Sequence, residues 1–109
     1  MQRDIESLVD IVQAAKHALT FTSGQTAEQF YDDAKSQFAV VRAFEIIGEA
    51  ANRVSIEFQE AHPEVPWAEM VGMRNKMIHE YDDVDLAIVW DTLQHDIPNL
   101  IKIIEPLIS

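Results

Sequence analysis

Two side chains suited to anion and proton chemistry at cellular pH, Arg74 and His79, stand five residues apart in the stretch Met73-Arg74-Asn75-Lys76-Met77-Ile78-His79-Glu80-Tyr81. An imidazole exchanges protons near neutrality. A guanidinium never loses its charge, and its planar fork matches two oxygens of a phosphate. A helix advances about 100° per residue, so every neighbour can be placed. With Arg74 as zero, Trp67, Met70, Val71, Met77, Ile78 and Tyr81 all fall within roughly 60° of it. Arg74 therefore occupies the middle of an apolar stripe, where a charge must be paired or must face a cavity. Ala68, Gly72, Asn75 and His79 line the adjoining flank, between roughly 100° and 160°. Asn75 and His79 are an i, i+4 pair, so one can orient the other. Glu69, Lys76 and Glu80 take the opposite, solvent side.

A plainer reading is an amphipathic helix with one structural Arg–carboxylate pair. Glu45 and Glu49 on the preceding long helix, with Asn52 at the same helical spacing, could supply the carboxylate, although Arg42 and Arg53 are nearby partners for them. Against it, four polar groups (Arg74, Asn75, His79 and Tyr81) lie on or beside a face that should be apolar.

The elements that must hold this stretch are helical, because strand alternation never persists while a 3.6-residue period recurs in four places. The first helix runs from Arg3 to about Leu19, with Ile5, Leu8, Val9, Val12, Ala15 and Leu19 as its apolar stripe. Thr26 and Gln29 form a capping box for a short turn carrying Phe30 and Tyr31. The second long helix spans about Ala34 to Phe58, with Val40, Ala43, Phe44, Ile47, Ala50, Ala51, Val54 and Phe58 inward. Its other side mixes Phe38, Val41, Gly48 and Ile56 with polar residues. A helix with two contact faces is either central or at a subunit interface, and the small size of the chain favours the interface. A connector carrying a solvated His62 leads to Pro66, which opens the third helix. Asp82, Asp83 and Asp85 cap and charge the start of the fourth helix. They lack the glycine turn and glutamate spacing of a calcium loop, so no metal is expected. Pro98 kinks this last helix, and the apolar tail from Leu100 to Ile108 is expected to bury partly against a second copy. His17 and His95 read as surface residues. The expected fold is all-α: an antiparallel up-and-down four-helix bundle, with a short extra turn before the second long helix and a Pro-kinked last helix.

The 109 residues suit a single domain over 1–109 with a core large enough to need no metal or disulfide. The absence of cysteine excludes disulfides, thiolate metal sites and a cysteine nucleophile. No basic-then-apolar leader follows Met1 and no apolar run approaches a membrane span, so a cytoplasmic protein is expected. Nineteen acidic against eight basic residues give a formal charge of −11, which opposes general nucleic-acid binding and favours a basic partner. Any RNA chemistry must use a local positive site.

Arg74-Asn75-x-x-x-His79-x-Tyr81 resembles the signature of the HEPN superfamily, in its HepT-like (DUF86) branch, the toxin half of HepT/MntA toxin–antitoxin pairs. Glu45-Ile46-Ile47-Gly48-Glu49-Ala50-Ala51 is similar to that branch's second-helix motif. Pro66-Trp67 with Val71-Gly72-Met73, and Val84-Asp85 with Val89-Trp90 and Pro98, resemble the flanking segments. About 75 residues, from Phe38 onward, fit in order. The resemblance implies a HEPN-like homodimer in which two copies of the motif meet. It further implies a metal-independent endoribonuclease needing no cofactor. His79 would be the acid or base at the ribose 2′-hydroxyl or leaving oxygen, Arg74 would hold the phosphate, and Asn75 would position either. Tyr81 would be the residue that an MntA-like nucleotidyltransferase antitoxin modifies with AMP, placing bulk and negative charge beside Arg74. The residues alone leave two alternatives open: a non-catalytic dimeric module that binds a nucleotide or docks the nucleotidyltransferase, and a purely structural bundle in which Arg74 pairs with Glu45 or Glu49.

Overall fold

The computed structural model describes the backbone of residues 2–79 and 85–108, and the side chains of residues 3–73 and 85–108. Among these residues the regular structure is helical and no strand occurs. The all-α expectation holds.

Each helix boundary has a local chemical cause. Helix α1 (Gln2–Phe21) ends where the Thr22 hydroxyl donates to the Ala18 carbonyl at 2.8 Å, and Gly24 then turns the chain with a φ of +82° that a side chain would disfavour. The expected capping box opens α2 (Ala27–Tyr31): Gln29 N–H donates to Thr26 Oγ at 3.2 Å, and Thr26 N–H to Gln29 Oε1 at 2.9 Å. Asp33 caps α3 (Ala34–Arg53).

Here the sequence-based boundary needs correction, because α3 does not continue to Phe58. Val54 leaves the helix with extended backbone, and the Ser55 hydroxyl accepts from Phe58 N–H at 3.2 Å to start α4 (Ile56–Ala61). Serine competes with the helix for backbone donors, and here Ser55 N–H and its hydroxyl turn to Asp4 while its oxygen caps the next helix. Then follow α5 (Trp67–His79) and α6 (Leu86–Asp91), the latter capped by Asp85 through the Ala87 and Ile88 N–H groups at 3.0 and 3.3 Å. Asp82 and Asp83 lie outside the described residues.

The expected disturbance at Pro98 takes a definite form. Proline has no N–H to return to the fourth carbonyl back, and its ring crowds that carbonyl. The chain widens into a π turn over Thr92–Asp96, with Ile97 N–H donating to Thr92 O, before α7 (Ile97–Ile108) resumes.

Helix α3 packs along α1 on one side and α5 on the other, and α7 packs on α1. Phe30, Phe44, Leu8, Ile11, Ile47, Met70, Leu93, Ile97 and Ile104 are fully buried between them. On the second face of α3, Gly48 is buried and Val41 is half-buried against the core, while Ile56 belongs to α4. Only Phe38 of the mixed face stands fully in solvent among these large residues on α3, at 65% exposure. The apolar tail packs on the core in part. Leu100 and Ile104 are buried, while Ile101, Ile103, Leu107 and Ile108 pack half-buried on the same core.

Cross-links at the bundle ends fix the helix directions. Gln25 Nε2, just after α1, donates to Asp33 Oδ2 and Ser36 Oγ at the start of α3. Asp4, at the start of α1, accepts from Ser55 just beyond the end of α3. Helices α1 and α3 are therefore antiparallel. Trp67 begins α5 against α4, its ring 6.2 Å from Phe58 and its Nε1–H donating to the His62 carbonyl at 3.0 Å. From there α5 runs back along α3 for about 18 Å. His79 thus lies about 18 Å back from the Trp67 corner, in the direction of the start of α3.

Candidate functional site

The first half of α5 follows the apolar stripe that its sequence sets out. Trp67 is buried at 9% exposure, Met70 is fully buried, and Val71 and Met73 are half-buried. This anchoring fixes the azimuth of the helix and with it the positions of the residues further along. By helical register alone, the backbone position of Arg74 follows those of Trp67 and Met70, and the positions of Asn75 and His79 follow those of Ala68 and Gly72. On that flank Ala68 is exposed, and Gly72 has no atom within 4 Å of where a Cβ would stand.

Helix α5 carries Arg74, Asn75 and His79 on one continuous helical backbone, as their spacing requires. Their side chains lie outside the described residues, and so does Tyr81 entirely. On α3, Glu45 is half-buried with its Oε2 3.8 Å from Arg42 Nη1, Glu49 is half-buried, and Asn52 is exposed. The Glu45–Arg42 contact is the local pair expected from their i, i+3 spacing. No cluster of three metal-ligating side chains occurs among the described residues.

The surroundings of α5 contain polar anchors that sequence reasoning missed. Asp4 is buried at 3% exposure, and its carboxylate accepts from Ser55 N–H and Ser55 Oγ–H, both at 2.8 Å. The Ser55 N–H bond, together with the hydroxyl bond, outweighs burial and holds the Asp4 carboxyl below its usual range. Asp33 is lowered too, first by the Ser36 hydroxyl donating at 2.6 Å and then by Gln25. The signal for the first anchor was present, since Ser55-Ile56-Glu57-Phe58 reads as a cap with an acid in the first turn. His62 is a second correction. It is half-buried rather than free in solvent: its ring packs 4.3 Å from Phe58, with Nδ1 3.4 Å from Glu64, so the connector is a folded aromatic corner under the start of α5. His17 and His95 are exposed, as expected.

A helical bundle with an Arg-Asn-x-x-x-His motif on its third long helix defines the class as HEPN-like. The family model described as "Ribonuclease HepT-like" matches residues 11–107, and the chain belongs to this HepT-like family. It is 47% identical over 93 residues to "Probable ribonuclease HepT" of Thermococcus cleftensis, covering 85% of this chain and 84% of the relative. It is 38% identical over 105 residues to "Putative RNase MJ1380" of Methanocaldococcus jannaschii, covering 95% and 96%. It is also 40% identical over 102 residues to "Putative RNase TTE0752" of Caldanaerobacter subterraneus, covering 94% and 91%. No solved structure matches the chain. Among the described residues, no helix is long and apolar enough to cross a membrane.

Proposed function

We propose that this protein is a metal-independent endoribonuclease acting as a homodimer, the toxin of a HepT/MntA-type pair, with Arg74, Asn75 and His79 as its catalytic residues. The observation that carries the reading is the Arg74-Asn75-x-x-x-His79 motif on α5, in a chain whose HepT-like match covers residues 11–107. The names of its relatives point to the same activity.

The chemistry follows from the side chains. His79 takes the proton of a ribose 2′-hydroxyl, the 2′-oxygen attacks phosphorus, and the bond to the 5′-oxygen breaks as that oxygen gains a proton. Arg74 neutralises charge growing on the phosphate oxygens. Asn75, one turn before His79, orients the imidazole or the phosphate. Along one helix Arg74 and His79 are separated by about 140° and 7.5 Å of rise. Two copies around a twofold axis gather two arginines and two imidazoles into one cleft, one imidazole to accept the proton and one to give it. Glu45, Glu49 and Asn52 would support this cleft from α3. A nucleotidyltransferase partner would silence the enzyme by attaching AMP to Tyr81, filling the cleft and setting phosphate beside Arg74. RNA incubated with the purified protein in EDTA tests the reading: the native chain cuts, and His79→Ala does not. Cutting by that variant at the native rate would remove His79 from the mechanism.

The formal charge of −11 favours a second reading, a dimeric module that binds a nucleotide or docks the nucleotidyltransferase without cutting RNA. Heat on titration with AMP or ATP, beside a blank RNA assay, selects it.

A further inference from the structure

The outward side of α3 carries a feature that the motif does not use. Phe38 is 65% exposed, and Phe21, in the last turn of α1, is 55% exposed. Lys35 and Arg42 both fall within about 60° of Phe38 around α3, so cation, ring and cation form one exposed strip about 10 Å long. Phe21 and Lys35 line a common cleft of about 380 Å³ together with Gln25, Asp33, Ser36 and Ala39. Helix α5 flanks α3 and runs back from the Trp67 corner toward the start of α3, where the strip lies.

Two of the cations of an otherwise acidic chain lie on this strip. Lys16 is engaged by Glu105 of α7, and Arg53 by Asp10 of α1 at 3.3 Å. Lys35 forms no ion pair among the described residues, and Arg42 meets Glu45 only at 3.8 Å with its side chain 63% exposed. Asp33, beside Lys35, turns its carboxylate onto Ser36 and Gln25. Further along this side of α3 stand Glu45, Glu49 and Asn52, so the aromatic part of the strip is confined to Phe38 and Phe21.

From this geometry we infer that the Lys35–Phe38–Arg42 strip, extended by Phe21, is a docking surface for unpaired RNA on its way to the His79 end of α5. The inference rests on the ribonuclease reading. Bases stack on the exposed rings without regard to sequence, and Lys35 and Arg42 meet the phosphates. Paired bases hide their faces within the duplex, so the strip selects single-stranded segments.

Binding of a labelled, 2′-O-methylated oligouridine, which cannot be cut, tests this by fluorescence anisotropy in EDTA across a salt series. Phe38→Ala weakens binding about tenfold, while Lys35→Gln and Arg42→Gln each flatten the logarithmic salt slope by about 0.7. Phe38 is exposed, so the variant keeps its native thermal midpoint. Failure of the native chain to bind, or native affinity in Phe38→Ala, overturns the inference. So does a loss of binding that only tracks dissociation of copies in sedimentation, which would make the face an interface between copies. The two readings fail separately: an enzyme that cuts while Phe38→Ala binds and cuts like native loses only the strip, and a chain that binds through Phe38 without cutting loses only the nuclease.

Discussion

Asp4 and Ser55 are 51 positions apart, yet the Asp4 carboxylate accepts both the backbone N–H and the hydroxyl of Ser55 at 2.8 Å. One contact thereby ties the start of α1 to the end of α3. The same Ser55 oxygen caps α4 by accepting from Phe58 N–H, so the link also sets the corner on which Trp67 begins α5. The position of the motif helix is traceable, through three residues, to a buried carboxylate.

Replacing Asp4 by alanine removes the acceptor for two donors, and stability should fall by about 2–3 kcal/mol. Urea unfolding measures this. Ser55→Ala should cost less, and the double variant less than the sum of the two, because the sites share one interaction.

Acid should weaken the same link. The Asp4 carboxyl is held below its unfolded value, so its contribution is fully present above the ordinary aspartate pKa of about 3.9 and is lost as pH falls through the lower folded value. Asp33 acts with the same sign. The thermal midpoint should therefore decline below about pH 4 in the native chain. In Asp4→Asn that decline should be shallower, which differential scanning calorimetry resolves.

The fully buried Phe30 ring lies 5.2 Å from Trp90 and fastens α2 to α6. Phe30→Ala should cost about 3–5 kcal/mol through lost burial and a cavity. The exposed Lys16–Glu105 pair offers the contrast, since Lys16→Ala should change stability by less than about 1 kcal/mol. A pair of unfolding curves checks both.

Much of this arrangement was legible in the sequence because local chemistry decides it. The Thr26–Gln29 box, the stripe through Trp67 and Met70 and the disturbance before Pro98 each follow from neighbours within a few residues. What escaped depends on distant contacts. The second long helix reads as continuous to Phe58 because Val54 and Phe58 keep helical spacing, which outweighs the local Ser55 cap signal until the Asp4 contact to Ser55 fixes the break. His62 looks like a connector residue until Phe58 folds under it. The motif was legible as types and spacing on a helix, and α5 supplies that helix.

The central claim is tested most directly by the ends of the RNA that the purified protein leaves in EDTA. Mass spectrometry should find 2′,3′-cyclic phosphate and 5′-hydroxyl termini with the native chain, and intact RNA with Arg74→Ala or His79→Ala. Fragments ending in 5′-phosphate, or the same fragments from His79→Ala, would contradict attack by the 2′-oxygen under the control of α5.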